Sequence, residues 1–145
     1  MANIVILGAG LGGMPMAYEM KELLRAGDTV TVLGQGPNYH FVPSNPWLAV
    51  SWRKRKDIEF PVAPYLEKKG IRFNPTGAKR VHPDRNAIEL NDGSTLSYDY
   101  LVIATGTSPR PDETPGMADD LGGGVHEFYT FEGASALAEK LKTWQ

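Results

Sequence analysis

An α/β fold built on a central parallel sheet, with an antiparallel meander replacing one crossover helix, is predicted by three features of this 145-residue chain. Residues 4–7 (Ile-Val-Ile-Leu) are a branched apolar run closed by glycine, as expected of a strand buried on both faces. The run leads directly into Gly8-Ala9-Gly10-Leu11-Gly12-Gly13 and then into a helical pattern. A later apolar run, residues 98–103, ends in Ala104-Thr105-Gly106 and is preceded by three short strand patterns rather than a helix.

Gly8, Gly10 and Gly13 form G-x-G-x-x-G between a strand and a helix. In that setting the first glycine permits a tight turn, the second lets the backbone approach a pyrophosphate, and the third allows close helix-strand packing. The unsatisfied N–H groups and positive dipole end of the helix would hold the anion without a basic side chain. A glycine-rich turn also serves as a plain connector; the order strand, motif, helix favours dinucleotide binding. The helix is expected over residues 14–25, with Met14, Ala17, Met20, Leu23 and Leu24 at apolar spacing, Pro15 in the first turn and Gly27 as C-cap. The methionines read as core filling rather than a cofactor wall.

Residues 29–33 form the second strand. In dinucleotide-binding folds an acidic residue about 20 positions after the glycine motif usually holds the ribose hydroxyls. Here that place falls on Gly34, so ribose contacts would come from Gly34 and Gln35. Residues 35–55 hold three X-Pro steps and two tryptophans with little periodicity. Two readings of this stretch stand: an irregular segment over the sheet's carboxyl edge, or a wall made by Val42, Pro43, Ser44, Asn45 and Trp47 beside a planar cofactor. Arg53-Lys54-Arg55-Lys56 reads as a solvated face, partly offset by Asp57 and Glu59.

A second helix is expected over residues 61–69, with Pro61 near its start and Gly70 at its end, followed by a short strand at residues 71–74. Residues 78–82, 87–90 and 95–97 read as a meander, its last two strands joined through Asn91-Asp92-Gly93. Residues 98–106 then form another buried parallel strand, whose terminal turn should face the same ligand as the first glycine motif.

The net charge of −2 gives no signal of a polyanion-binding surface, and nucleic acid is not an expected partner. The chain contains no cysteine, so it builds no disulfide, thiolate metal site or thiol nucleophile. His40, His82 and His126 are scattered rather than spaced as ligands, so no metal is expected. The buried strand starts at the third residue, leaving no room for a signal peptide, and no apolar run approaches the roughly 20 residues that cross a bilayer. The chain is expected to be soluble.

The glycine motif, the meander and the strand ending Ala104-Thr105-Gly106 resemble the FAD domain of flavoproteins with two dinucleotide-binding domains. Within that superfamily, residues 8–18, Phe41-Val42-Pro43-Ser44-Asn45-Pro46-Trp47 and residues 98–106 resemble sulfide:quinone oxidoreductase. The similarity covers about the first 106 residues and fades after Thr107. It implies a Rossmann-like FAD-binding fold, incomplete relative to the intact family fold. It further implies that Gly8, Gly10, Leu11, Gly12 and Gly13 contact the pyrophosphate, that Gly34 and Gln35 lie near the adenosine ribose, and that Gly77 and Ala78 lie by the adenine. Val42, Pro43, Thr105 and Gly106 would border the ribityl chain and ring. Several family members also lack an acid at the position of Gly34.

The family takes electrons from sulfide through redox-active cysteines and passes them by way of FAD to a quinone at the membrane. By that resemblance the chain is an N-terminal portion: residues 1–110 the FAD-binding region, residues 111–124 a Pro-, Asp- and Gly-rich flexible link, and residues 125–145 a helical segment opening a second domain. The cysteine pair would lie beyond Gln145, and Phe128 and Tyr129 stand where some members carry a further cysteine. No catalytic residue is then expected within the chain, which alone would be inactive and bind FAD weakly or not at all. Sulfide and quinone would be partners of the intact enzyme, a peripheral membrane protein attached through regions outside this chain. The last helix is expected over residues 131–144, capped by Thr130 and packed through Leu137 and Leu141. Exposed Phe128, Tyr129, Phe131 and Trp144 would favour self-association. Three other readings stay open: a related flavoprotein, such as the flavin subunit of flavocytochrome c sulfide dehydrogenase or a type II NADH dehydrogenase; a non-catalytic nucleotide-binding module; and a structural scaffold.

Overall fold

The computed structural model describes residues 1–144. They fall into two compact units: the first comprises residues 1–39 and 61–106, the second residues 40–60 and the described residues from Thr107 on. Residues 40–60, which the sequence places within the region 1–110, thus group with the chain's last part. Their Leu48, Ala49 and Ile58 share a small core with Ala134, Phe131 and Leu137.

The first unit is built on β1 (Asn3–Leu7), β2 (Thr29–Leu33), β5 (Arg72–Asn74) and β9 (Tyr100–Ile103), which form one parallel sheet in the order β5-β2-β1-β9. The predicted first strand is central, as expected. Alternation of side chains along it separates two cores. Ile4 and Ile6, with Val30, Val32 and Val102, face the layer holding α1 (Gly13–Leu23) and α3 (Ala63–Glu67), where Ala17, Val62, Leu66 and Ile71 are buried. Val5, Leu7, Leu33 and Leu101 face the antiparallel meander of β6 (Ala78–His82), β7 (Ala87–Leu90) and β8 (Thr95–Ser97), which contributes Ile88, Leu90, Val81 and Leu96. The meander therefore occupies the face that a crossover helix would otherwise cover, as the sequence predicts.

Four expectations need correction in this unit. The first helix stops at Leu23 rather than running to Arg25: Leu24 is extended, with ψ 140°, and turns back to pack on the core, while Leu23 is exposed. Gly27, at φ +91°, sits in the turn that follows, closed by an Asp28 N–H to Arg25 carbonyl bond of 3.0 Å. Pro61 ends a short strand, β4 (Glu59–Pro61), instead of starting a helix; Pro64 supplies the first-turn proline of α3. Finally, β9 is the outer strand among the described residues, so Tyr100 and Ile103 are exposed rather than buried.

The irregular stretch contains β3 (Asn38–His40), which pairs with β4, a 3-10 turn at Val42–Ser44 and the five-residue α2 (Asn45–Ala49). Residues 111–124 hold a 3-10 turn at Pro111–Glu113 and a parallel bridge between Leu121 and Val125. In the second unit α4 (Phe131–Leu141) is capped by Thr130, as predicted, whose Oγ1 accepts the Gly133 N–H at 2.9 Å. It packs through Ala134, Ala138 and Leu137, and Leu141 is part-buried. Phe131 is half-buried rather than exposed, with the Arg55 guanidinium 4.1 Å over its ring and His40 edge-on at 4.9 Å. Among the described residues no helix is long and apolar enough to cross a membrane.

Candidate functional site

The carboxyl ends of the four parallel strands lie level. Leu7 pairs with Leu33 on one side and Ile103 on the other, and Leu33 pairs with Asn74. The turns that leave these ends are consequently set side by side. Because the chain goes from β1 outward to β2 and β5, then returns on the opposite side as β9, strand order reverses at β1. Ligand crevices of open α/β sheets lie off the carboxyl ends at such a reversal.

Gly8 leaves β1 at φ +115°, and its N–H donates to the Leu33 carbonyl at 2.9 Å. A Cβ at Gly8 would stand 2.2 Å from the Ala104 carbonyl oxygen and 3.1 Å from the Thr105 nitrogen. The Ala104 N–H in turn donates to the Leu7 carbonyl at 2.8 Å. The early and late turns are thus packed backbone to backbone, the convergence expected from sequence. A Cβ at Gly13 would lie 1.8 Å from the Gly8 carbonyl oxygen, so α1 can start there only on a glycine. Gly12 is in ordinary contact range, 3.6 Å from the Ala104 Cβ, and Leu11 is about half-exposed. Around Gly10 and Gly106 the same test finds open space within 4 Å.

The amino end of α1 has no side-chain cap and no acid in its first turn. Its N–H groups and the positive dipole end have no carboxylate in that turn to compete with a bound anion. A phosphate or diphosphate fits this cradle: the glycines that must be small are filled by backbone, and the one expected beside the anion is open.

The turns that follow β2 and β5 have a separate construction. A Cβ at Gly34 would meet the Phe73 ring at 3.0 Å and the Ala9 Cβ at 3.2 Å, so the acid that ordinarily ends this strand would have to push these neighbours aside by a few tenths of an ångström. Gln35 bridges antiparallel to Thr76, and the Gly36 N–H donates to the Pro75 carbonyl at 2.8 Å. Gly77, at φ +82°, follows directly, and Ala78 opens β6. The structure therefore brings Gly34, Gln35, Gly77 and Ala78 to one corner of the first unit. Val42 and Pro43 belong to the 3-10 turn of the second unit.

The sequence reading missed Asn91 at this corner. Its N–H donates to the Gly77 carbonyl and its Nδ2 to the Thr76 carbonyl, both at 3.1 Å. As the first residue of an Asn-Asp-Gly turn it signalled only the hairpin, and its contacts to the Thr76–Gly77 turn are distant in sequence. Among the described residues, no group of three or more His, Asp or Glu could hold a metal.

Residues 2–143 match the family model described as pyridine nucleotide-disulphide oxidoreductase. A sulfide-quinone reductase from Aquifex aeolicus is 39% identical over 104 residues, covering 72% of this chain and 24% of that protein. The crystal structure of the sulfide:quinone oxidoreductase from the same bacterium superposes with TM-score 0.86 at 33% identity, over 98% of this chain and 32% of that one. Putidaredoxin reductase from Pseudomonas putida is 27% identical, over 96% of this chain and 33% of that protein. The chain thus spans between a quarter and a third of the length of these relatives.

Proposed function

Since the chain belongs to the pyridine nucleotide-disulphide oxidoreductase family, we propose that it is the FAD-binding portion of a sulfide:quinone oxidoreductase. The observation that carries this reading is the backbone contact of Gly8 with Ala104 and Thr105, which puts two glycine-containing turns at one cradle. The likeness to a sulfide-quinone reductase narrows the flavoprotein class. Gly8 and Gly13 shape the cradle, while Gly10, Leu11 and Gly12 line the pyrophosphate. Gly34, Gln35, Gly77 and Ala78 receive the adenosine; Thr105 and Gly106 border the flavin end.

Bound FAD would supply two-electron transfer between sulfide and quinone. This chain's part is to hold and orient: α1's dipole offsets the diphosphate charge, and the close-packed turns fix the backbone donors before the ligand arrives. With no cysteine among its 145 residues, the chain offers no thiol to sulfide, and by itself it is inactive in this reading. The whole protein that carries it should reduce a ubiquinone analogue when given sulfide. A second reading, an NAD(P)H-dependent flavoprotein reductase, is favoured by the putidaredoxin reductase match. Quinone reduction that NADH supports and sulfide does not would select that reading instead.

A further inference from the structure

Three successive carbonyls, those of Pro75, Thr76 and Gly77, are each held by a named donor: the Gly36 N–H at 2.8 Å, Asn91 Nδ2 at 3.1 Å and the Asn91 N–H at 3.1 Å. A single residue of the meander therefore fixes two adjoining peptide planes of the turn. The space a Cβ of Gly77 would take is filled from two sides, by Gln35 Oε1 at 2.3 Å and Asn91 Nδ2 at 2.5 Å. With no cis peptide among the described residues, each C=O and the N–H of the same plane point in opposite directions. Holding the Gly77 carbonyl on Asn91 thus turns the Ala78 N–H away from the meander.

From this geometry we infer that Asn91 is a positioning residue for the adenine end of the nucleotide: its side-chain amide holds the Thr76–Gly77 peptide and packs on Gly77, and so fixes the turn from which the Gly77–Ala78 peptide meets an adenine edge. The inference rests on the FAD reading given above. Hydrogen-bond readout of a planar base depends on donor direction, and a peptide pinned at its carbonyl is pre-oriented at its N–H. Asn91 touches no ligand in this account; it acts through the turn. Its amide also does what an aspartate cannot, since only a donor satisfies the Thr76 carbonyl.

The test uses the 15N-labelled 145-residue chain and its Asn91→Ala and Asn91→Asp variants. Each is titrated with ADP and, separately, with inorganic pyrophosphate, followed by amide shifts. Both variants should bind ADP about tenfold more weakly, the scale of one lost hydrogen bond to an oriented group. Pyrophosphate, which reaches only the Gly8–Gly13 turn, should bind them within about twofold of the parent. Both variants keep the backbone N–H on the Gly77 carbonyl and remove only the Nδ2 donor to Thr76; Asn91→Asp also keeps the side-chain volume, so it reports even if the alanine variant does not fold. Unchanged ADP affinity overturns the inference while leaving the FAD reading in place. Equal loss for ADP and pyrophosphate also overturns it, by showing a merely structural role. A parent chain that responds to neither ligand removes the FAD reading and this inference with it.

Discussion

The space above the Gly8 Cα is occupied by the Ala104 carbonyl, 2.2 Å from where a Cβ would stand, and Gly8 itself sits at φ +115°. Both obstacles are backbone, so neither relaxes by a rotamer change. Gly8→Ala should cost about 3 kcal/mol, adding left-handed strain to overpacking. The urea midpoint should fall with no change of slope. An unchanged midpoint would show that the two turns are not held together as described.

Gly10 gives the contrast. It has no positive φ, and a Cβ there meets nothing within 4 Å. Gly10→Ala should leave stability within about 0.5 kcal/mol of the parent. It should nevertheless weaken diphosphate binding about tenfold or more, because the added methyl takes the space of the approaching anion. The readouts are a urea melt and an ADP titration of the same sample.

At the amino end of α4, Thr130 accepts the Gly133 N–H, and the Glu127 carboxylate accepts the Tyr129 and Thr130 N–H groups at 2.6 and 2.9 Å. Thr130→Ala should cost about 1 kcal/mol, read as faster amide exchange in the first turn of α4. Gly133→Ala should be close to neutral: its Cβ would displace the Glu127 carboxylate, the mobile end of a flexible side chain, and the lost contacts are offset by the about 1 kcal/mol helix preference of Ala over Gly.

The Asp28 carboxyl is held below its usual range, first by the Ala2 N–H at 2.6 Å and then by the Arg25 N–H at 3.2 Å. A depressed folded value means that the unfolded chain binds the proton more readily. The stabilisation is therefore full above the unfolded value of about 3.9 and is lost as pH falls through the folded one. Asp28→Asn should lower the urea midpoint at pH 7, and the gap to the parent should narrow as the pH falls through the depressed folded value. A constant gap across that range would contradict the assignment. Glu89, held low chiefly by Lys79, adds to the parent's acid sensitivity and is unchanged in this variant.

Much of the first unit was legible because its signals are local. Residues 4–7 and 29–33 carry continuous apolar runs, and the three meander strands fall where alternation and the Asn-Asp-Gly turn put them. Errors arose where long-range packing outweighs local chemistry. Leu24 leaves the helix because the core accepts its side chain; Pro61 joins a strand because its neighbours pair with β3. Ile103 reads as buried by composition, yet it lies on the outer strand. The cradle's glycines were readable as a motif, whereas Asn91 was not, since its function depends on a turn that only the folded meander brings near.

The central claim is that two turns serve one flavin nucleotide. It is tested most directly by titrating FAD into the 15N-labelled chain and following every glycine amide. The account predicts that Gly8, Gly10, Gly12 and Gly13 shift together with Thr105 and Gly106, along one binding curve. Shifts confined to one of the two turns at millimolar FAD would contradict it.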